Sequence, residues 1–158
     1  MKVVMMTGDH PRHLYVASRL MRAGFLHGLV VERRAAFVPE PPAGLPEVDR
    51  INFVRHFADR SASELRFFGK PDLAQFAGLP VLHTTKRELN GDAVRDWIRR
   101  EAPDVVLTYG VHVIRRELLE LMPEHRWNIH GGLSPWYRGN ITLFWPFYFL
   151  KPNWAGMT

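Results

Sequence analysis

Asn128-Ile129-His130 runs straight into Gly131-Gly132. On a β-strand, side chains two apart point the same way, so Asn128 and His130 would project together. A histidine can carry protons near neutral pH. An asparagine amide can donate a hydrogen bond to an oxygen that gains charge. The two glycines let the chain turn sharply and let a substrate come close. Such a group suits attack by an amine on a carbonyl. The same residues also suit a structural histidine tied into a turn, so the surrounding sequence has to decide.

The elements that would carry this group alternate between strand and helix. Lys2 to Thr7 is a short apolar run that stops at Gly8 and predicts a buried strand. Asp9-His10-Pro11 predicts a helix start, with Asp9 as the cap and a proline in the first turn. Leu14, Ala17, Leu20 and Met21 continue at helical spacing, and Gly24 is the expected stop. Phe25 to Val31 predicts a second strand, and the proline-rich stretch from Ala35 to Glu47 predicts a loop. Ile51 to Phe68 predicts a helix, and Gly78 to His83 a short edge or parallel strand. Asn90-Gly91-Asp92 is expected to cap a helix that buries Val94, Trp97 and Ile98. Asp104 to Tyr109 predicts a strand ending at Gly110, Ile114 to Met122 an amphipathic helix, and Trp127 to His130 another strand.

This alternation implies an α/β, Rossmann-like three-layer fold with a mostly parallel sheet. Such sheets bind ligands at the carboxyl ends of strands, where the strand order reverses. Three loops then matter: Gly8 to His13, Gly110 to Ile114, and His130 to Gly139.

Composition narrows the function classes. The chain has 158 residues, 46% hydrophobic and 23% charged, which suits one folded domain. It has no cysteine, which excludes disulfides, thiolate metal sites and cysteine nucleophiles. No segment approaches the about 20 apolar residues of a membrane span, and a cytoplasmic protein is expected. The net charge of +5 allows an anionic partner, but the arginine pairs are scattered, which disfavours nucleic acid. The eight histidines form no metal-binding pattern, so no metal is expected. No dinucleotide or nucleoside-triphosphate glycine loop and no Gly-x-Ser-x-Gly elbow is present.

The full segment Asn128-Ile129-His130-Gly131-Gly132-Leu133-Ser134-Pro135-Trp136-Tyr137-Arg138-Gly139 resembles the active-site segment of the folate-dependent formyltransferases. That family includes methionyl-tRNA formyltransferase, glycinamide ribonucleotide formyltransferase and the sugar N-formyltransferases. Gly78-Leu79-Pro80-Val81 and Ala102 to Gly110 look like the pair of strands that precede it. Gly132 stands where the family usually has serine, and Ser134 where it often has leucine.

The resemblance implies formyl transfer from 10-formyltetrahydrofolate to a primary amine. It makes Asn128 and His130 the catalytic pair. It implies that Tyr109, Gly110, Val111, His112, Val113 and Ile114 line the pteridine pocket. The first loop lacks both the small-residue phosphate loop typical of the glycinamide ribonucleotide enzymes and the Gly-Thr-Pro type start of the tRNA formyltransferases, so an amino-sugar nucleotide or another small amine is the expected acceptor. His10, Arg12 and Arg138 are the candidate acceptor-binding residues. The family's third catalytic residue is an aspartate after the strand that is expected to begin at Ala155. The expectation is therefore a catalytic domain cut short within that strand and inactive alone. The alternative is a non-catalytic ligand- or partner-binding module of the same fold. The aromatic run from Phe144 to Phe149 is expected to be a helix packed on the sheet; exposed, it would suggest a homodimer.

Overall fold

The structure is a computed structural model, and it describes residues 1–34, 39–139 and 142–158. The chain runs β1 (Val3–Gly8), α1 (Pro11–Arg22), β2 (Leu26–Arg33), α2 (Glu47–Phe68), β3 (Val81–Thr85), α3 (Asp92–Glu101), β4 (Val105–Tyr109), α4 (Arg116–Leu119), β5 (His125–Ile129) and α5 (Trp145–Tyr148). The five strands form one sheet in the order β3-β2-β1-β4-β5, and every pair is parallel. The predicted fold class and element order therefore hold.

β1 is central, and all six of its residues are buried. A strand covered on both faces reads as an unbroken apolar run, which is how Val3 to Met6 appear in sequence. Val4 and Met6 join α3's Val94, Trp97 and Ile98 on one face. Met5 joins Leu14 and Ala17 of α1 and Leu29 of β2 on the other. α1 ends where predicted. Gly24 takes φ +75°, and the Gly24 and Phe25 N–H groups donate back to Met21 and Leu20.

Both predicted caps are corrected. Asp9 does not cap α1; its Oδ1 accepts from the Arg34 backbone N–H at 3.1 Å. Asn90 does not cap α3; its Oδ1 accepts from Arg115 N–H at 2.7 Å and its Nδ2 donates to Val113 O at 3.0 Å. In each case the side chain meets a backbone group distant in sequence rather than its own helix.

The helix expected from Ile114 to Met122 shrinks to the single turn α4, although Leu118 and Met122 remain buried. β5 begins two residues before the predicted start and ends at Ile129. The aromatic run is not packed on the sheet. Only Pro146 of α5 is buried, while Phe144, Phe147, Tyr148 and Phe149 are each at least half exposed. The strand expected from Ala155 is one antiparallel bridge, Gly131 to Met157. Part of the proline-rich loop, residues 35–38, lies outside the described residues.

Candidate active site

The strand order reverses between β1 and β4, so crevices open at the carboxyl ends of β1, β4 and β5. Parallel pairing sets Thr108 of β4 opposite Asn128 of β5. Thr108 Oγ1 donates to Asn128 Oδ1 at 2.9 Å. With its oxygen engaged, the Asn128 amide presents its N–H donors. His130 Nε2 lies 3.2 Å from Tyr137 O. A carbonyl can only accept, so Nε2 is the donor here, and in the neutral ring the lone pair falls on Nδ1.

The backbone around His130 is pinned. Its N–H donates to Thr158 O at 2.6 Å, and Thr158 N–H donates to His130 O at 2.8 Å. Gly132 takes φ +106°, and a Cβ there would stand 2.7 Å from Thr142 Cβ and 2.8 Å from Tyr137 O. The turn therefore has no room for a serine at this position.

Beside Asn128 and His130 lies a cleft of about 500 Å³. The loop after β4 supplies Val111, His112, Val113 and Ile114, α4 and its end supply Leu119 and Met122, and β5 supplies Arg126, Trp127 and Asn128. One wall is apolar and the other polar, a suitable lining for a flat heteroaromatic ligand with a reactive edge.

The predicted site residues divide between this cleft and a second crevice. Asn128, His130 and residues 111–114 share the cleft. Tyr109 and Gly110 do not line it; they sit against His13 between β1 and β4. The Tyr109 ring meets His13 edge-on at 4.6 Å, and burial raises its hydroxyl pKa. Gly110 takes φ +68°, and a Cβ there would stand 2.3 Å from His13 Nε2.

His13 is buried, and its pKa is pushed from 6.5 to about 2, first by burial and then by Arg12, His10 and Arg34. His10 stacks on it at 5.4 Å, and its pKa too is lowered, chiefly by burial. Arg12 is engaged by α2, with Nη1 donating to Glu64 Oε1 at 2.5 Å. Arg138 is exposed in the loop after β5, next to Gly139 of the cleft. The structure thus separates His10 and Arg12 from the Asn128–His130 pair.

Two residues escaped the sequence reading. Thr108 orients Asn128, a contact that needs the register of two strands. Glu32, wholly buried at the end of β2, contacts His112 of the cleft. In sequence it heads the run Glu32-Arg33-Arg34 and looks like a solvated charge. Among the described residues, no group of three or more metal-ligating side chains is present. No described helix is long and apolar enough to cross a membrane.

No family model matches the chain. Methionyl-tRNA formyltransferase of Desulfotalea psychrophila is 39% identical over 75 residues, 46% of this chain and 22% of that protein. Among solved structures, phosphoribosylglycinamide formyltransferase of Anaplasma phagocytophilum superposes with a TM-score of 0.58 at 10% identity, over 94% of this chain and 58% of that one. Glycinamide ribonucleotide transformylase 1 of Symbiobacterium toebii gives 0.57 at 14% identity, over 94% and 60%. The Geobacillus kaustophilus counterpart gives 0.56 at 14%, over 94% and 67%. The chain has the formyltransferase fold. It matches under a quarter of the length of the curated relative, and about three fifths of the first two solved chains. Within the formyltransferase fold, the Asn128–His130 pair occupies the carboxyl end of β5, facing the loop after β4.

Proposed function

We propose that this cleft serves formyl transfer from 10-formyltetrahydrofolate to a primary amine. The observation that carries the reading is the Asn128–His130 pair. Asn128 is turned by Thr108 to present its N–H donors beside His130, whose Nε2 is turned to Tyr137 O.

The folate supplies an activated formyl group. Asn128 Nδ2 donates to the carbonyl oxygen as the amine nitrogen bonds to the formyl carbon and that oxygen gains charge. His130 Nδ1 takes the proton that the amine must lose, and returns it to the departing folate nitrogen. The apolar side chains of Val111 and Ile114 screen the folate side from water.

The acceptor in this reading is an amino-sugar nucleotide or another small amine. The bulk of His10, just before α1, and of His13, in its first turn, supports it, since they fill space that small residues would leave open. A homodimer through the exposed 144–150 surface and a cytoplasmic location belong to the same reading.

Titration with 5-formyltetrahydrofolate, followed by tryptophan fluorescence, tests it, because Trp127 lines the cleft. A saturable change is expected, absent in Trp127→Phe and kept in His130→Ala. A flat titration rejects the folate pocket. An amine screen with 10-formyltetrahydrofolate then identifies the acceptor.

A second reading, a binding module without turnover, is favoured by one fact. No carboxylate stands among the described residues that line the cleft. It predicts folate binding with no formyl transfer to any amine.

A further inference from the structure

We propose that Glu32 is a positioning residue that sets the apolar wall of the cleft through the 110–114 loop. The proposal rests on the folate reading for the ligand, and on the geometry of β2 and the loop for the mechanism.

Glu32 sits at the carboxyl end of β2, in register with Gly8 of β1 and Thr84 of β3, and is fully buried. A buried carboxylate is costly unless its oxygens are engaged. Both are engaged by one residue 80 positions away. Oε2 accepts from the His112 backbone N–H at 2.8 Å, and Oε1 meets the His112 ring at Nδ1.

Arg34 completes the cluster. Its Nη1 lies 3.9 Å from Glu32 Oε1. The same nitrogen stands 2.9 Å and 3.2 Å from the two His112 ring nitrogens, which sets the guanidinium against the ring rather than in line with one lone pair. Its Nη2 donates to Gly110 O.

The loop needs such a clasp. Residues 111–115 belong to neither helix nor strand, and Val113 is 82% exposed. Asn90 holds the far end through Val113 O and Arg115 N–H. Glu32 and Arg34 hold the near end at Gly110 O and His112 N–H. Between these clamps the chain presents Val111, Val113 and Ile114 to the cleft. A buried ionic cluster often stabilises a fold no better than apolar packing, but it fixes geometry at chosen atoms. Here the chosen atoms belong to the wall that would meet the pteridine.

Glu32→Gln is the test, since the side chain keeps its size and one acceptor but loses the other. Backbone hydrogen exchange at His112 and its neighbours is measured without ligand, beside the Kd for 5-formyltetrahydrofolate. About tenfold faster exchange confined to residues 111–114 is expected, with Kd raised about tenfold. His112→Ala keeps the backbone bond and should weaken binding less. If Glu32→Gln does not fold, Arg34→Gln, which frees Gly110 O, carries the same expectation over residues 111–114.

Unchanged exchange at His112, or faster exchange spread evenly over the sheet, overturns the positioning role. Local loosening with an unchanged Kd overturns its link to the ligand. A wild-type chain that binds no reduced folate rejects the folate reading instead, and the exchange comparison still decides what Glu32 holds.

Discussion

The two walls of the cleft are supported in opposite ways. The 110–114 loop has no regular structure, yet buried charge stands behind it: Glu32 at 0% exposed, with Arg34 against it. β5 is a regular strand, yet it is an edge, with Trp127 60% exposed and Asn128 exposed. The chemistry-bearing residues sit on this second wall. Among the described residues each is oriented there by a side-chain hydrogen bond, Thr108 to Asn128 and His130 to Tyr137 O. Regular secondary structure is therefore a poor guide to burial here. Preorganised donors act without reorganising during reaction, so these two bonds should matter far more to rate than to stability.

The largest effect should come from the β5 wall. His130→Ala should cut single-turnover formyl transfer by about a thousandfold while folate binding survives. Wild-type turnover would remove His130 from the reaction. Asn128→Ala should raise the barrier by about 3 kcal/mol, read in the same assay. An unchanged rate would mean that the amide does not face the developing charge.

Gly110→Ala tests the anchor behind the opposite wall. Its positive φ and the contact with His13 should lower stability by about 2 kcal/mol or more in urea unfolding. Gly24, with a similar φ but open space around it, should lose only about 1 kcal/mol as alanine. Equal losses would show that His13 yields. Thr108→Val should cost about 1 kcal/mol in the barrier, visible in kcat and not in folate Kd.

The smallest effect is on pH dependence. The folded pKa of His13, about 2, lies below its ordinary 6.5. The unfolded chain therefore takes up a proton that the folded chain refuses. The stability contribution is fully present above pH 6.5 and declines as pH falls toward 2. Between pH 7 and pH 6 the loss amounts to about 0.7 kcal/mol. His13→Gln should flatten that part of the urea-midpoint profile relative to wild type; identical slopes would place the proton elsewhere.

What the sequence made legible was local and periodic. The run before Gly8, the glycine stop of α1 and the apolar face of α3 each lie within a few residues, and all three hold. The Asn128-x-His130 spacing was equally local, and it brought both residues to one cleft. What was hidden depends on partners far apart. Asp9 and Asn90 have the chemistry of caps but are claimed by Arg34, Val113 and Arg115, which no local pattern reveals. Glu32 reads as a surface acid because its partner lies 80 residues on. Residues 144–149 looked like core because aromatic content suggests burial, whereas exposure depends on what stands opposite them.

The seat of His13 has a consequence for how this chain can change over time. A Cβ at Gly8 would stand 2.7 Å from its ring, and one at Gly110 would stand 2.3 Å from it. Neither glycine can acquire a side chain without displacing the imidazole. Replace the imidazole with something smaller and Gly8 is left with only a 3.3 Å approach to Arg34 Cγ, while Gly110 stays bound by its own backbone angle. The order of mutation is then one-way: position 13 must move first, position 8 can follow, and each later change at position 8 closes the route back.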